Sequence, residues 1–137
     1  MSTREAVCAE ALTWVGTPFH DCADVKGAGV DCAMLLVRIY CGLGIAPHFD
    51  PRPYKPQWFE HQDDPIYLNW LRKYSHQVSE PEAGDIAMFQ FGKQAAHGAV
   101  VIEPGRSMVH AFKPSAKVIF DDLRHLRPFF HSYWSPF

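Results

Sequence analysis

No apolar run in this sequence comes near the ~20 residues that a membrane-spanning helix needs; the longest, Ala33 to Val37, ends at Arg38. A surplus of one charge is missing too. Lys and Arg number 13 against 15 Asp and Glu, a formal net charge of -2, and the basic residues are scattered rather than striped. Nothing in that pattern suggests a nucleic-acid surface or a polybasic membrane patch, and no nucleic-acid partner is expected. Met1 to Glu10 carries Arg4, Glu5 and Glu10 where a secretion signal needs an uninterrupted apolar stretch, so no signal peptide is expected in this chain. Cysteine is sparse, with Cys8, Cys22, Cys32 and Cys41 only, and neither small size nor secretion demands that they pair. They are read as free thiols. Internal repeats and low-complexity tracts are also absent. What remains is a chain of 137 residues, 47% hydrophobic and 20% charged, which fits one domain spanning residues 1–137 with a core that needs no metal or disulfide staple.

Helices are expected first and strands second. From Arg4 to Val15, Val7, Ala11, Trp14 and Val15 fall at helical spacing before Gly16-Thr17-Pro18 stops the run. Gly16 to Val30 reads as a structured loop. Asp31 stands at an N-cap position before Cys32 to Tyr40, a segment apolar on nearly every face until Gly42 and Gly44. Such a helix must be buried. The stretch Ala46 to Asp64 is rich in Pro and aromatic residues and is expected to border the cleft, with Tyr54, Trp58 and Phe59 expected to pin it to the core and stacking on a sugar as the alternative. A short helix from about Pro65 to Tyr74 follows, with Pro at its first turn. Strands are expected at Ile86 to Phe91, His97 to Ile102 and Met108 to Phe112, with one or two more around Val118 to Phe120 and Phe129 to Trp134. This order predicts an α+β domain with helices packed on one face of a small antiparallel sheet.

The chemistry begins at Asp31-Cys32. A cysteine in the first turn of a buried helix meets unpaired backbone N–H groups and the positive end of the helix dipole, which favours thiolate over thiol. The same amides suit the oxyanion of a tetrahedral intermediate. Cys8 and Cys41 have no such surroundings and read as core residues. A nucleophile of this kind needs a base, and eight histidines compete for the role. If Glu103-Pro104-Gly105-Arg106 is a turn with Ile102 opposite Ser107, Ala99 opposes His110 and His97 opposes Phe112. His97 and His110 then lie diagonally on one face with Cβ atoms roughly 7 Å apart. Ala99, Val101, Met108 and Phe112 complete a dry wall around them. His20, His48, His61, His76, His125 and His131 fall in loops or beside charges and read as surface groups. On residue types alone a core cysteine with two satisfied histidines, or a zinc site of Cys32, His97 and His110, stays open.

Taken in order, Trp14-Val15-Gly16-Thr17-Pro18-Phe19, Lys26-Gly27-Ala28-Gly29-Val30-Asp31-Cys32-Ala33, Gly84-Asp85-Ile86, Ala96-His97-Gly98-Ala99-Val100-Val101 and Val109-His110-Ala111 resemble the successive blocks of the NlpC/P60 cysteine peptidases, most nearly the phage tail-associated cell-wall peptidase branch. The resemblance implies a papain-like α+β fold in which Cys32 attacks, His97 is base and then acid, and His110 takes the third, orienting place. It implies a cysteine endopeptidase or amidase that acts through an acyl-enzyme, with no metal and no cofactor. The substrate class it implies is the peptide stem of bacterial peptidoglycan, often the amide between D-glutamate and a diamino acid. Asp31 and Phe19 fall at positions expected to serve substrate binding or the oxyanion. Two departures bear on activity. Met34 stands where many members have Gly two residues after the cysteine, and Phe19 replaces a Tyr whose hydroxyl helps at the substrate carbonyl. Losing one such donor costs on the order of 2 to 4 kcal/mol of transition-state stabilisation if nothing replaces it. The alternative expectation is therefore a catalytically impaired structural or binding component of a phage tail-like particle, with phage tail proteins as partners. Cytoplasmic synthesis followed by action at the cell wall, within a particle or after export, fits either reading. Cys22 lies in the loop that delivers Cys32 and reads as a plain loop thiol, with a reversible disulfide between the two as the alternative.

Overall fold

Ser2 opens the first helix with a reciprocal cap: its hydroxyl accepts from the Glu5 N–H at 3.1 Å and its own N–H donates to the Glu5 carboxylate at 3.2 Å. Helix α1 accordingly spans Thr3–Thr13, with Val7 and Ala11 buried. The computed structural model describes residues 2–54, 66–92 and 95–137. Trp58, Phe59, His61 and Pro65 lie outside the described residues. The expected loop from Gly16 to Val30 contains a small antiparallel hairpin of β1 (Asp24–Val25) and β2 (Gly29–Val30). Strands this short leave almost no alternation to read.

Helix α2 spans Cys32–Gly42 behind Asp31, whose Oδ1 accepts from the Met34 N–H at 2.8 Å. Its buried residues, Ala33 to Val37 with Ile39 and Tyr40, lie on all sides of the helix, as the sequence predicts. Helix α3 is Ile66–Tyr74. The strands are β3 (His76–Val78), β4 (Ile86–Gln90), β5 (Ala95–Glu103), β6 (Ser107–Phe112), β7 (Lys117–Asp122) and β8 (Phe130–Ser135). They form one antiparallel sheet in the order β3-β8-β4-β5-β6-β7.

Strand β5 shows how the sheet separates two environments. Ala96 and Val100 join the main core with α1, α2 and α3, and a Cβ added at Gly98 would lie 2.6 Å from the Tyr67 hydroxyl. The alternate residues Ala99 and Val101 join a second cluster with Phe89 and Met108, closed by Leu123 and Leu126 of a 3-10 segment, Leu123–Phe129. Helices therefore cover one face as expected, and the 3-10 segment covers the other, which the sequence reading did not foresee.

The β5–β6 hairpin keeps the expected register in its body, with Val100 opposite Val109 and Val101 opposite Met108. At the turn it departs: Ser107 pairs with Glu103 rather than Ile102. Two contacts explain the shift. The Ser107 hydroxyl donates to the Glu103 carboxylate at 3.0 Å and accepts from the Glu103 N–H at 3.2 Å. Gly105, at φ +73°, supplies the positive dihedral that a Pro-Gly turn needs.

Candidate active site

Cys32 occupies the first turn of α2 and is partly buried. Its Sγ donates to the carbonyl of Ala96 at 3.6 Å, and its own carbonyl accepts from the Tyr67 hydroxyl at 3.3 Å. Asp31 is buried and fully committed: besides the Met34 N–H, its carboxylate accepts from the Cys22 N–H at 2.7 Å and from the Tyr54 hydroxyl. It thus caps the helix and ties down two loops. Burial pushes its carboxyl above the ordinary range, against the hydrogen bonds from Tyr54, Met34 and Cys22.

The surroundings of Cys32 work against the thiolate that its helix position favours. Burial pushes the thiol up, and the neighbouring Asp31 carboxylate pushes it further, while the N–H groups of Cys32 and Ala33 pull less strongly the other way. A helix N-terminus presents only about half a positive charge, and here desolvation and a full negative charge one residue away outweigh it.

On the opposite face of β5, Nε2 of His97 lies 2.7 Å from Nδ1 of His110, with ring centroids 5.0 Å apart at 71°. Nε2 of His110 in turn lies 3.0 Å from Oδ2 of Asp121 on β7. The same oxygen accepts from Nδ1 of His125 at 2.8 Å, and Oδ1 accepts from the Asp122 N–H at 2.8 Å. Burial lowers both inner imidazoles; beside His110, His97 falls well below the ordinary histidine range, while Asp121 only partly offsets the fall of His110. Burial works against the Asp121 carboxylate, yet the bonds from His125 and His110 hold it below the usual range. Phe91, Phe112 and Phe89 wall His97, with ring centroids at 5.3, 5.9 and 6.1 Å.

No family model and no curated protein sequence matches the chain. Solved structures do. The NlpC/p60 domain of the peptidoglycan hydrolase SagA superposes over 98% of this chain and 99% of its own with a TM-score of 0.69 at 19% identity. The fold is the NlpC/P60 fold. An NLP/P60 protein described as similar to lipoprotein, from Staphylococcus aureus, follows with a TM-score of 0.66 and 22% identity; 96% of this chain matches 40% of that one. The P60 domain of an antigen of M. avium subspecies paratuberculosis matches over 96% of this chain and 92% of that one, with a TM-score of 0.63 at 17% identity.

Within this NlpC/P60 fold the structure brings His97 and His110 together and leaves Cys32 hydrogen-bonded to the residue before His97. Among the described residues no hydrogen bond joins Cys32 to His97. Phe19 packs against the main core beside Val30, with the Lys113 ammonium 5.9 Å from its ring centre. Met34 is wholly buried in that core, where a Gly would leave a cavity. Cys22 donates through Sγ to the Tyr54 carbonyl at 3.3 Å, and all four cysteines are free thiols. Among the described residues no three His, Cys, Asp or Glu side chains are placed to hold a metal ion, so Cys32, His97 and His110 do not assemble the zinc site left open above.

Sequence reading missed Asp121, Phe89 and Phe91. Asp121 follows a strand read as ending near Phe120; its true end is Asp122, and His110 pairs with Ile119, two residues short of Asp121 on the same face. Extending that strand by one alternation is the signal that finds it. His125, expected and found at the surface, contributes to the same carboxylate.

Proposed function

We propose that this chain is a cysteine endopeptidase or amidase that hydrolyses amide bonds in the peptide stem of bacterial peptidoglycan, with the bond between D-glutamate and a diamino acid as the expected target. The observation that carries the reading is the placement of Cys32 at a helix start against Ala96 while the next residue, His97, is held by His110 at 2.7 Å, on an NlpC/P60 fold. At rest, burial favours the neutral form of both partners. Substrate binding would turn Sγ from the Ala96 carbonyl toward His97, which takes its proton as the sulfur attacks the amide carbon. The N–H groups of the first turn of α2 would receive the developing oxyanion. His97 then gives the proton to the leaving amine, breaking the C–N bond; a water that His97 deprotonates attacks the acyl carbon, the C–S bond breaks, and His97 returns the proton to Sγ. Catalytic hydrogen bonds that are absent before substrate binds often form in the complex, so the resting contact to Ala96 is compatible with this path.

A second reading has two observations in its favour: Cys32 rests as a partly buried thiol bonded to a carbonyl, and Phe19 offers no hydroxyl. That reading is a catalytically impaired structural or binding component of a phage tail-like particle. Digestion of purified peptidoglycan, with released fragments identified by mass spectrometry, separates the two. The peptidase reading expects stem-peptide cleavage by the wild type and none by Cys32→Ala. No cleavage by either, across walls of different peptide chemistry, contradicts it and leaves the impaired component.

A further inference from the structure

We infer that Asp121 is a positioning residue that fixes which nitrogen of each imidazole carries the proton and thereby makes Nδ1 of His97 the basic atom of the site. This rests on the reading of His97 as the base. A carboxylate oxygen can only accept, so Nε2 of His110, 3.0 Å from Oδ2 of Asp121, is the protonated nitrogen of that ring. Buried and neutral, His110 then has a lone pair on Nδ1. That lone pair lies 2.7 Å from Nε2 of His97, which must be the donor. The single ring proton of a neutral His97 is thus spent on Nε2, and Nδ1 keeps its lone pair.

Without the carboxylate the row has no fixed direction. His110 protonated at Nδ1 would donate to Nε2 of His97, forcing the His97 proton onto Nδ1 and abolishing the base. Asp121 prevents this from two bonds away. The carboxylate is itself held in place: Oδ2 also accepts from Nδ1 of His125 and Oδ1 from the Asp122 N–H. His110 and His125 are the titratable side chains that hydrogen-bond to it. When Cys32 passes its proton to Nδ1 of His97, one S–H bond breaks, one N–H bond forms and no other proton moves. The resulting imidazolium faces His110 and, behind it, the negative charge of Asp121.

The test combines long-range proton–nitrogen NMR of the histidine rings at about pH 7.5 with steady-state kinetics on stem peptides, for the wild type, Asp121→Asn and Asp121→Glu. An amide both donates and accepts, so the asparagine leaves the direction of the row unspecified. The wild type is expected to show His97 and His110 in the Nε2–H form. Asp121→Asn should show mixed forms, with kcat lowered about 10²-fold, less than the roughly 10⁴-fold seen when a carboxylate touching the base directly is replaced. KM should hold, the acid limb of kcat/KM should move to lower pH, and Asp121→Glu should recover part of the loss. A wild-type His97 in the Nδ1–H form overturns the inference. So does an Asp121→Asn variant that is merely less stable, with ring forms and acid limb unchanged. If the wild type cleaves nothing, the peptidase reading fails, and the ring spectra alone decide the tautomer assignment.

Discussion

The first turn of α2 sets opposing fields on one sulfur, and their balance decides how the site rests. Backbone amides favour thiolate, but burial and the Asp31 carboxylate favour thiol, and His97 is held neutral by its own burial. The dipole argument was legible from the position of Cys32; the desolvation was not, because it depends on how Tyr67 and β5 close around the turn. Neutral buried histidines also carry a pH signature. An unfolded histidine titrates near 6.5, and His97 and His110 titrate below that in the fold, so the unfolded chain binds more protons over this interval. Their neutral burial therefore costs nothing above about pH 6.5 and destabilises progressively as pH falls. The urea midpoint is expected to be lower at pH 5 than at pH 7.5, and His97→Gln should narrow the gap. Equal midpoints at the two pH values would contradict the neutral burial of the pair.

At the scale of elements, the site depends on the two-residue alternation of β5, which sends His97 one way and Ala96 and Gly98 the other. At Gly98 α3 packs close against the strand: an added Cβ would sit 2.6 Å from the Tyr67 hydroxyl and 3.0 Å from a Leu36 methyl. Gly98→Ala is expected to destabilise by about 1 to 3 kcal/mol through overpacking, measured by urea unfolding, and to displace Tyr67 from the Cys32 carbonyl. A change within 0.5 kcal/mol, about the size of an ordinary surface substitution, would show that Tyr67 yields freely. The β5–β6 hairpin was legible because alternation and a Pro-Gly turn agree. Strand β3, His76–Val78, was not, being three residues long and mostly polar, and β7 was read too short because Asp121 and Asp122 look like loop residues. Polar residues at a strand end are where a function-bearing side chain is hardest to tell from a turn, and Asp121 is the example here.

Across the whole molecule, α1 is fastened to the turn before β4 by charge as well as by packing. Arg4 pairs with the buried carboxylate of Asp85 at 2.9 Å and donates to the Ala83 carbonyl at 3.1 Å. Asp85 also accepts from the Glu82 N–H, so it shapes the turn that launches β4. Arg4→Ala leaves that carboxylate uncompensated and is expected to cost about 2 kcal/mol, less than the 3 to 5 of a fully buried pair because Arg4 touches water. An unchanged urea midpoint would contradict this. The helices-then-strands order made the α+β architecture legible from the outset, and one face of the sheet was placed correctly. The second face was not, because Leu123–Phe129 has neither helical nor strand periodicity and its core role appears only once Leu123 and Leu126 are seen under β4 to β6.

The central claim is that Cys32 and His97 work as one unit although no hydrogen bond joins them at rest. The rate of stem-peptide release by the wild type, Cys32→Ala, His97→Ala and the double variant tests it most directly, since residues that act as a unit lose activity non-additively. The account predicts that either single change falls to the same floor as the double. Losses that add, or cleavage that survives Cys32→Ala, would contradict it.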